Sequence, residues 1–120
     1  MPEEGSAAVE FALVLPLVLL VLLAAVEVVV VARTQLELAH ATREGARQAA
    51  TSPDVESAVG AVRRSLPEAV AGRVRVSVDR QQHVGGTARV TVSLRHRVGA
   101  PFFGGATITL RSSAVMRVEK

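Results

Sequence analysis

Two carboxylates sit where carboxylates are costly. Glu10 and Glu27 are the acids of residues 6–32, SAAVEFALVLPLVLLVLLAAVEVVVVA. A charge at the edge of hydrocarbon costs kilocalories per mole unless it is paired, shielded or able to reach the interface. The chemistry these two groups offer is therefore charge pairing. Glu10 stands where the apolar run begins, and Glu27 stands a little over one helical turn before it ends. Both can be boundary residues that reach head groups. Both can instead meet partners in an assembly. The residues alone leave the two readings open.

Elsewhere the side chains capable of chemistry are dispersed. His40, His83 and His96 have no metal-ligand spacing. There is no G-x-S-x-G, no P-loop and no dinucleotide-binding glycine turn. Gly85-Gly86 reads as part of a hairpin and Ser112-Ser113 as a strand pair without a base beside it. Glu68, Asp79 and Glu119 fall at element edges rather than as a catalytic pair. No Cys is present, which removes disulfides and thiolate metal sites. The pattern points away from an enzyme, with no catalytic residue, no metal, no cofactor and no small-molecule substrate expected. Net charge is +3, carried by dispersed Arg whose longest run is Arg63-Arg64, with no Trp or Tyr for stacking. Nucleic acid is not an expected partner.

The element that positions Glu10 and Glu27 is a helix. Residues 11–32 would form about 33 Å of helix at 1.5 Å per residue, against a bilayer core about 30 Å thick. Pro16 lacks an N–H and opposes the carbonyl of Ala12, so a kink or local opening is expected there. The opening Met1-Pro-Glu-Glu-Gly5 is acidic, unlike the basic start of a secretory signal peptide. Arg33, Arg43 and Arg47 all follow the span, and by the positive-inside rule alone the rest of the chain would be cytoplasmic.

The stretch from Gly5 through Ser6-Ala7-Ala8-Val9-Glu10-Phe11, the span with Pro16, and Ala41-Thr-Arg43-Glu44-Gly45-Ala-Arg47 occur in this order. Together they resemble the TadE-like minor pilins, pseudopilins of tight-adherence (Flp-type) pilus systems with a type IV pilin-like N-terminus. The resemblance covers residues 5–50. It implies cleavage by a prepilin peptidase between Gly5 and Ser6, with residues 1–5 as a leader. It implies that Glu10, with Phe11, Pro16 and Glu27, serves assembly, Glu10 neutralising the α-amine of a neighbouring subunit. Arg43, Glu44, Gly45 and Arg47 correspond to the stalk signature. The implied partners are the peptidase, other pilins or pseudopilins, the assembly platform and the lipid bilayer. The implied location is the bacterial cytoplasmic membrane, single-pass, with the C-terminal domain outside and pilus association after assembly. That topology opposes the charge count. The acidic leader also departs from the basic leaders usual in pilins.

Past the membrane, helix formers continue to Ala50, with Leu38, Ala41, Gly45 and Ala49 on one narrow face. Gly45 is unfavourable in a helix by about 1 kcal/mol relative to Ala, so something close-packed against it is expected. Ser52 is the expected N-cap of a second helix with Pro53 as its first residue. Val55, Val59, Val62 and Leu66 form its apolar stripe. From Arg73 the period changes to two, giving three strands. A hairpin spans Gln81–Gly86, and a loop from Arg97 to Gly105 carries Phe102 and Phe103, either as a plug on the sheet edge or as a contact surface. The expected fold is α+β: a long N-terminal transmembrane and stalk helix over residues 6–50, then residues 51–120 as a small exported domain. In that domain the short second helix covers a three-stranded antiparallel sheet. A minor pilin is the leading functional reading. A single-pass membrane protein with a small partner-binding domain is the alternative.

Overall fold

The apolar run and the segment after it form one helix. In the computed structural model, which describes residues 2–99 and 105–119, α1 spans Pro2–Thr51. At 1.5 Å per residue that is about 75 Å, and the molecule measures 82 × 21 × 19 Å. The helix therefore sets the long dimension. It continues through Pro16, so the opening expected at the Ala12 carbonyl does not interrupt it.

The two halves of α1 have different surroundings. From Gly5 to Val30 every residue except Glu27 is exposed. Beyond that, Leu38, Ala41, Thr42, Gly45, Ala46, Ala49 and Ala50 are buried. Their spacing of three and four places them on one face, while His40, Arg43 and Arg47 lie exposed on the other. The C-terminus of a helix leaves carbonyls without intrahelical donors, and here the rest of the chain supplies them. The backbone N–H of Ser52 donates to the Gln48 carbonyl at 3.0 Å, and that of Glu119 to the Ala50 carbonyl at 2.8 Å. Buried Arg80 donates through Nε to the Ala49 carbonyl at 2.7 Å.

The second helix, α2, spans Val55–Arg64 and starts two residues later than the sequence suggests. Asp54, not Ser52, is its N-cap, accepting the Glu56 N–H at 3.1 Å. Ser52 instead accepts the N–H of Asp54. Pro53 thus stays outside the helix. The buried edge also shifts. Ala58 and Val62 are fully buried and Leu66 nearly so, Val59 is half-buried, and Val55 is 40% exposed. A short α3, Glu68–Ala71, follows Pro67. The sequence reading had no helix there, since four residues are too few to show a period.

Strands β1 (Arg75–Arg80), β2 (Thr87–Val98) and β3 (Ala106–Arg117) form an antiparallel sheet in the order β1-β2-β3. In the register, Val90 faces Val78 and Ala114, Val92 faces Val76 and Ser112, and Leu94 faces Leu110. These residues point to the covered side. Their neighbours Arg75, Arg89, Arg95, Arg111 and Arg117 are exposed on the other. The core joins Leu38, Ala41, Ala46 and Ala49 to Ala58, Val62, Val90 and Val92. α2 covers part of the sheet, as expected, and α1 shares that cover. The buried half of α1 lies across β2 and β3, while α2 packs on α1 and β1. The small residues of α1 allow the helix close to the sheet. At Gly45 an added Cβ would collide with Cγ2 of Val62 and come within 3.3 Å of Cγ1 of Val90.

β2 and β3 outrun β1. The β1 pairing ends at Arg75 with Ser93, while β2 and β3 stay paired down to Val98 with Ala106. This two-stranded arm runs beside α1 toward the membrane-length segment. Phe102 and Phe103, expected in the loop at its tip, lie outside the described residues.

Candidate functional site

The exposed half of α1 holds most of the residues singled out in the sequence. Gly5, Ser6, Glu10, Phe11 and Pro16 are all exposed on it. Glu10 takes part in none of the ion pairs among the described residues. An 18-residue window of this helix has a mean hydropathy of 3.0, and none of it is buried within the chain. A core helix of a water-soluble fold would be covered by its own domain. This one is of membrane-spanning length, and none of that window is buried by the described residues.

Glu27 lies seventeen residues further on, about 26 Å along the axis, and has a different setting. The β2–β3 arm reaches it. Its Oε2 lies 3.7 Å from His96 Nε2, with side-chain exposures of 32% and 17%. Neither atom has a hydrogen-bond partner among the described residues, and 3.7 Å exceeds hydrogen-bonding distance. The two polar atoms are close neighbours in a partly apolar setting. Ala24, Val28, Val31, Val98 and Gly99 line a hollow with Glu27. Glu27 is a polar exception in the apolar run and His96 falls on the apolar parity of its strand, but sequence alone does not join them. Their shared oddity was the available signal. Each is the polar residue on an otherwise apolar face.

Above Ala32 the helix carries exposed ion pairs one turn apart, Arg33–Glu37 at 3.4 Å and Arg47–Glu44 at 3.0 Å. In the Arg43–Arg47 stretch only Gly45 and Ala46 turn inward, so the signature divides into a packing half and a solvent-facing half. Gln35 donates through Nε2 to the Arg111 carbonyl at 2.9 Å, tying β3 to the helix just past the apolar run. Among the described residues no group of three His, Cys, Asp or Glu side chains is placed to hold a metal ion.

Part of α1 has a counterpart in a known family. Residues 5–47 match the family model of TadE-like proteins. The TadE-like segment begins at Gly5 and ends two residues past Gly45, so it covers the exposed half of α1 and most of the buried stripe. The chain matches no curated protein and no solved structure.

Proposed function

We propose that the chain is a minor pilin of a tight-adherence (Flp-type) pilus or a related secretion machine, cut by a prepilin peptidase between Gly5 and Ser6. The observation that carries this reading is the match of residues 5–47 to TadE-like proteins, laid on a helix whose residues 5–26 are exposed throughout. A bilayer can cover that surface before assembly, and neighbouring helices can cover it in a filament. In this reading residues 51–120 lie outside the cytoplasm, against the raw count of Arg after the span. The partners are the peptidase, other pilins or pseudopilins and the assembly platform.

Cleavage gives the direct test. Mass spectrometry of the chain recovered from membranes of peptidase-bearing cells should find Ser6 as the N-terminus. Recovery with residues 1–5 still attached would remove the pilin reading. It would favour a single-pass protein whose small domain binds a partner without entering a filament.

A further inference from the structure

The open face of the sheet gathers arginines that are dispersed in sequence. Arg73, Arg75, Arg95 and Arg111 line one shallow groove of about 490 Å³ with Ser93 and Thr109. Strand parity brings them together. Arg75 pairs with Ser93, Ser93 with Arg111, and Arg95 with Thr109, so all of these point away from the core. Arg73 joins from the turn before β1, donating through a guanidinium nitrogen to the Arg95 carbonyl at 3.1 Å. No acid among the described residues lines the groove, and the ion pairs among them involve none of the four. On this face the acid Asp79 lies at the opposite end, beside Arg89.

The height of the groove identifies its occupant. Arg111 is tied through its carbonyl to Gln35, about 4.5 Å beyond Ala32 at 1.5 Å per residue. Arg95 precedes His96, which lies against Glu27, about 7.5 Å before Ala32. The groove therefore straddles the end of the apolar run. Beyond the hydrocarbon, each side of a bilayer has a head-group layer about 5–7 Å deep, and long Arg side chains extend toward it along apolar surface. Guanidinium groups bind phosphate oxygens through paired N–H donors. We propose that Arg73, Arg75, Arg95 and Arg111 form a binding site for the phosphate head groups of anionic phospholipids in the leaflet on which the domain rests. The site needs neither a filament nor a particular side of the membrane. A groove this close to the bilayer surface meets lipid phosphates before any soluble polyanion.

The test uses the full chain reconstituted in bilayers of mixed phosphatidylcholine and phosphatidylglycerol, then extracted gently, with the retained lipids measured by mass spectrometry. The wild-type chain should retain phosphatidylglycerol several-fold above its share of the bilayer. The Arg95→Gln/Arg111→Gln chain should retain it near that share. Arg89→Gln/Arg117→Gln removes the same charge from the far end of the same face and should keep the enrichment. Circular dichroism establishes that each variant is folded, and Arg73→Gln/Arg75→Gln replaces the first pair if that pair does not fold. Absence of enrichment in the wild-type chain, or equal loss from both ends of the face, would overturn the proposal. Saturable binding of inorganic phosphate in pure phosphatidylcholine bilayers, without phosphatidylglycerol enrichment, would assign the groove to a soluble anion and overturn the lipid assignment.

Discussion

Glu27 Oε2 and His96 Nε2 stand 3.7 Å apart, sixty-nine residues apart in sequence, and join the membrane-length helix to the far end of the sheet. Each residue breaks an apolar pattern on its own element. Together they place two polar groups where the β2–β3 arm lies against α1. Removing one partner leaves the other facing an apolar hollow, whereas removing both leaves only apolar surface.

A double-mutant cycle should therefore show coupling. Glu27→Leu and His96→Leu should each lower the melting temperature of the full chain in detergent. The double variant should be no less stable than either single one, with a coupling on the order of 1 kcal/mol. Strictly additive losses would mean that the two side chains are neighbours without interaction.

Gly45 is the second sensitive point. Ala is favoured over Gly in a helix by about 1 kcal/mol, so Gly45→Ala would stabilise an isolated α1. In the fold its Cβ would meet Cγ2 of Val62, and such overpacking typically costs about 1–3 kcal/mol. The melting temperature should fall. Val62→Ala in the same chain should recover part of that loss by opening the space. A rise in melting temperature for Gly45→Ala alone would contradict the close approach of α1 and α2.

Much of this fold is visible in local pattern. The span shows as unbroken hydropathy, the buried face of α1 as spacings of three and four, and the strands as alternation through Val74–Val78 and Ala88–Leu94. What local pattern lacks is which face meets which. Val55 and Val59 look like core because they are apolar and periodic, yet Ala58 is fully buried where Val55 is exposed and Val59 half-buried, because the face that meets α1 is set by packing. The arginines of the groove look dispersed because their proximity arises from strand pairing rather than from sequence distance. The N-cap moved from Ser52 to Asp54 because both side chains accept a backbone N–H two residues on, and sequence alone does not rank two such acceptors.

The position of α1 also determines where the chain can be cut. Leu38, Ala41, Ala46 and Ala49 belong to the same core as Val90 and Val92, so residues 51–120 alone would expose the inner face of the sheet. A fragment beginning at Arg33 should melt cooperatively, and one beginning at Thr51 should not. In the longer fragment Val92→Ala, which removes two methyl groups from a fully buried site, should cost about 1–3 kcal/mol. Cooperative melting of the shorter fragment would show that the sheet and α2 suffice without the helix.

Arg80 locks the other end of α1. Its Nε donates to the Ala49 carbonyl, and the residue is 9% exposed. Arg80→Met keeps much of the stem but removes the donor, leaving a helix-end carbonyl without it. A cost of about 1–3 kcal/mol is expected for such a buried acceptor, read as a lower melting temperature. An unchanged melt would mean that water or another donor replaces the guanidinium freely.

Glu10 distinguishes a filament subunit from a plain anchor. It is exposed on the helix at the start of the membrane-length apolar segment, and an unpaired carboxylate at the edge of hydrocarbon is unfavourable. Cleavage after Gly5 would create an α-amine on Ser6, which is mostly charged at neutral pH. Within one chain that amine lies about 6 Å along the axis from Glu10. Between chains staggered along their axes the two groups can meet across an interface, so their pairing can fix the axial step of an assembly. Glu10→Gln keeps the size and hydrogen-bonding capacity of the side chain and removes the charge. Expression, membrane insertion and cleavage should stay close to wild type. Crosslinking to other pilins in membranes, and recovery in sheared pilus fractions, should fall several-fold when both forms are measured side by side. Equal incorporation of the Gln form would assign Glu10 to the membrane boundary and remove charge pairing from the assembly step.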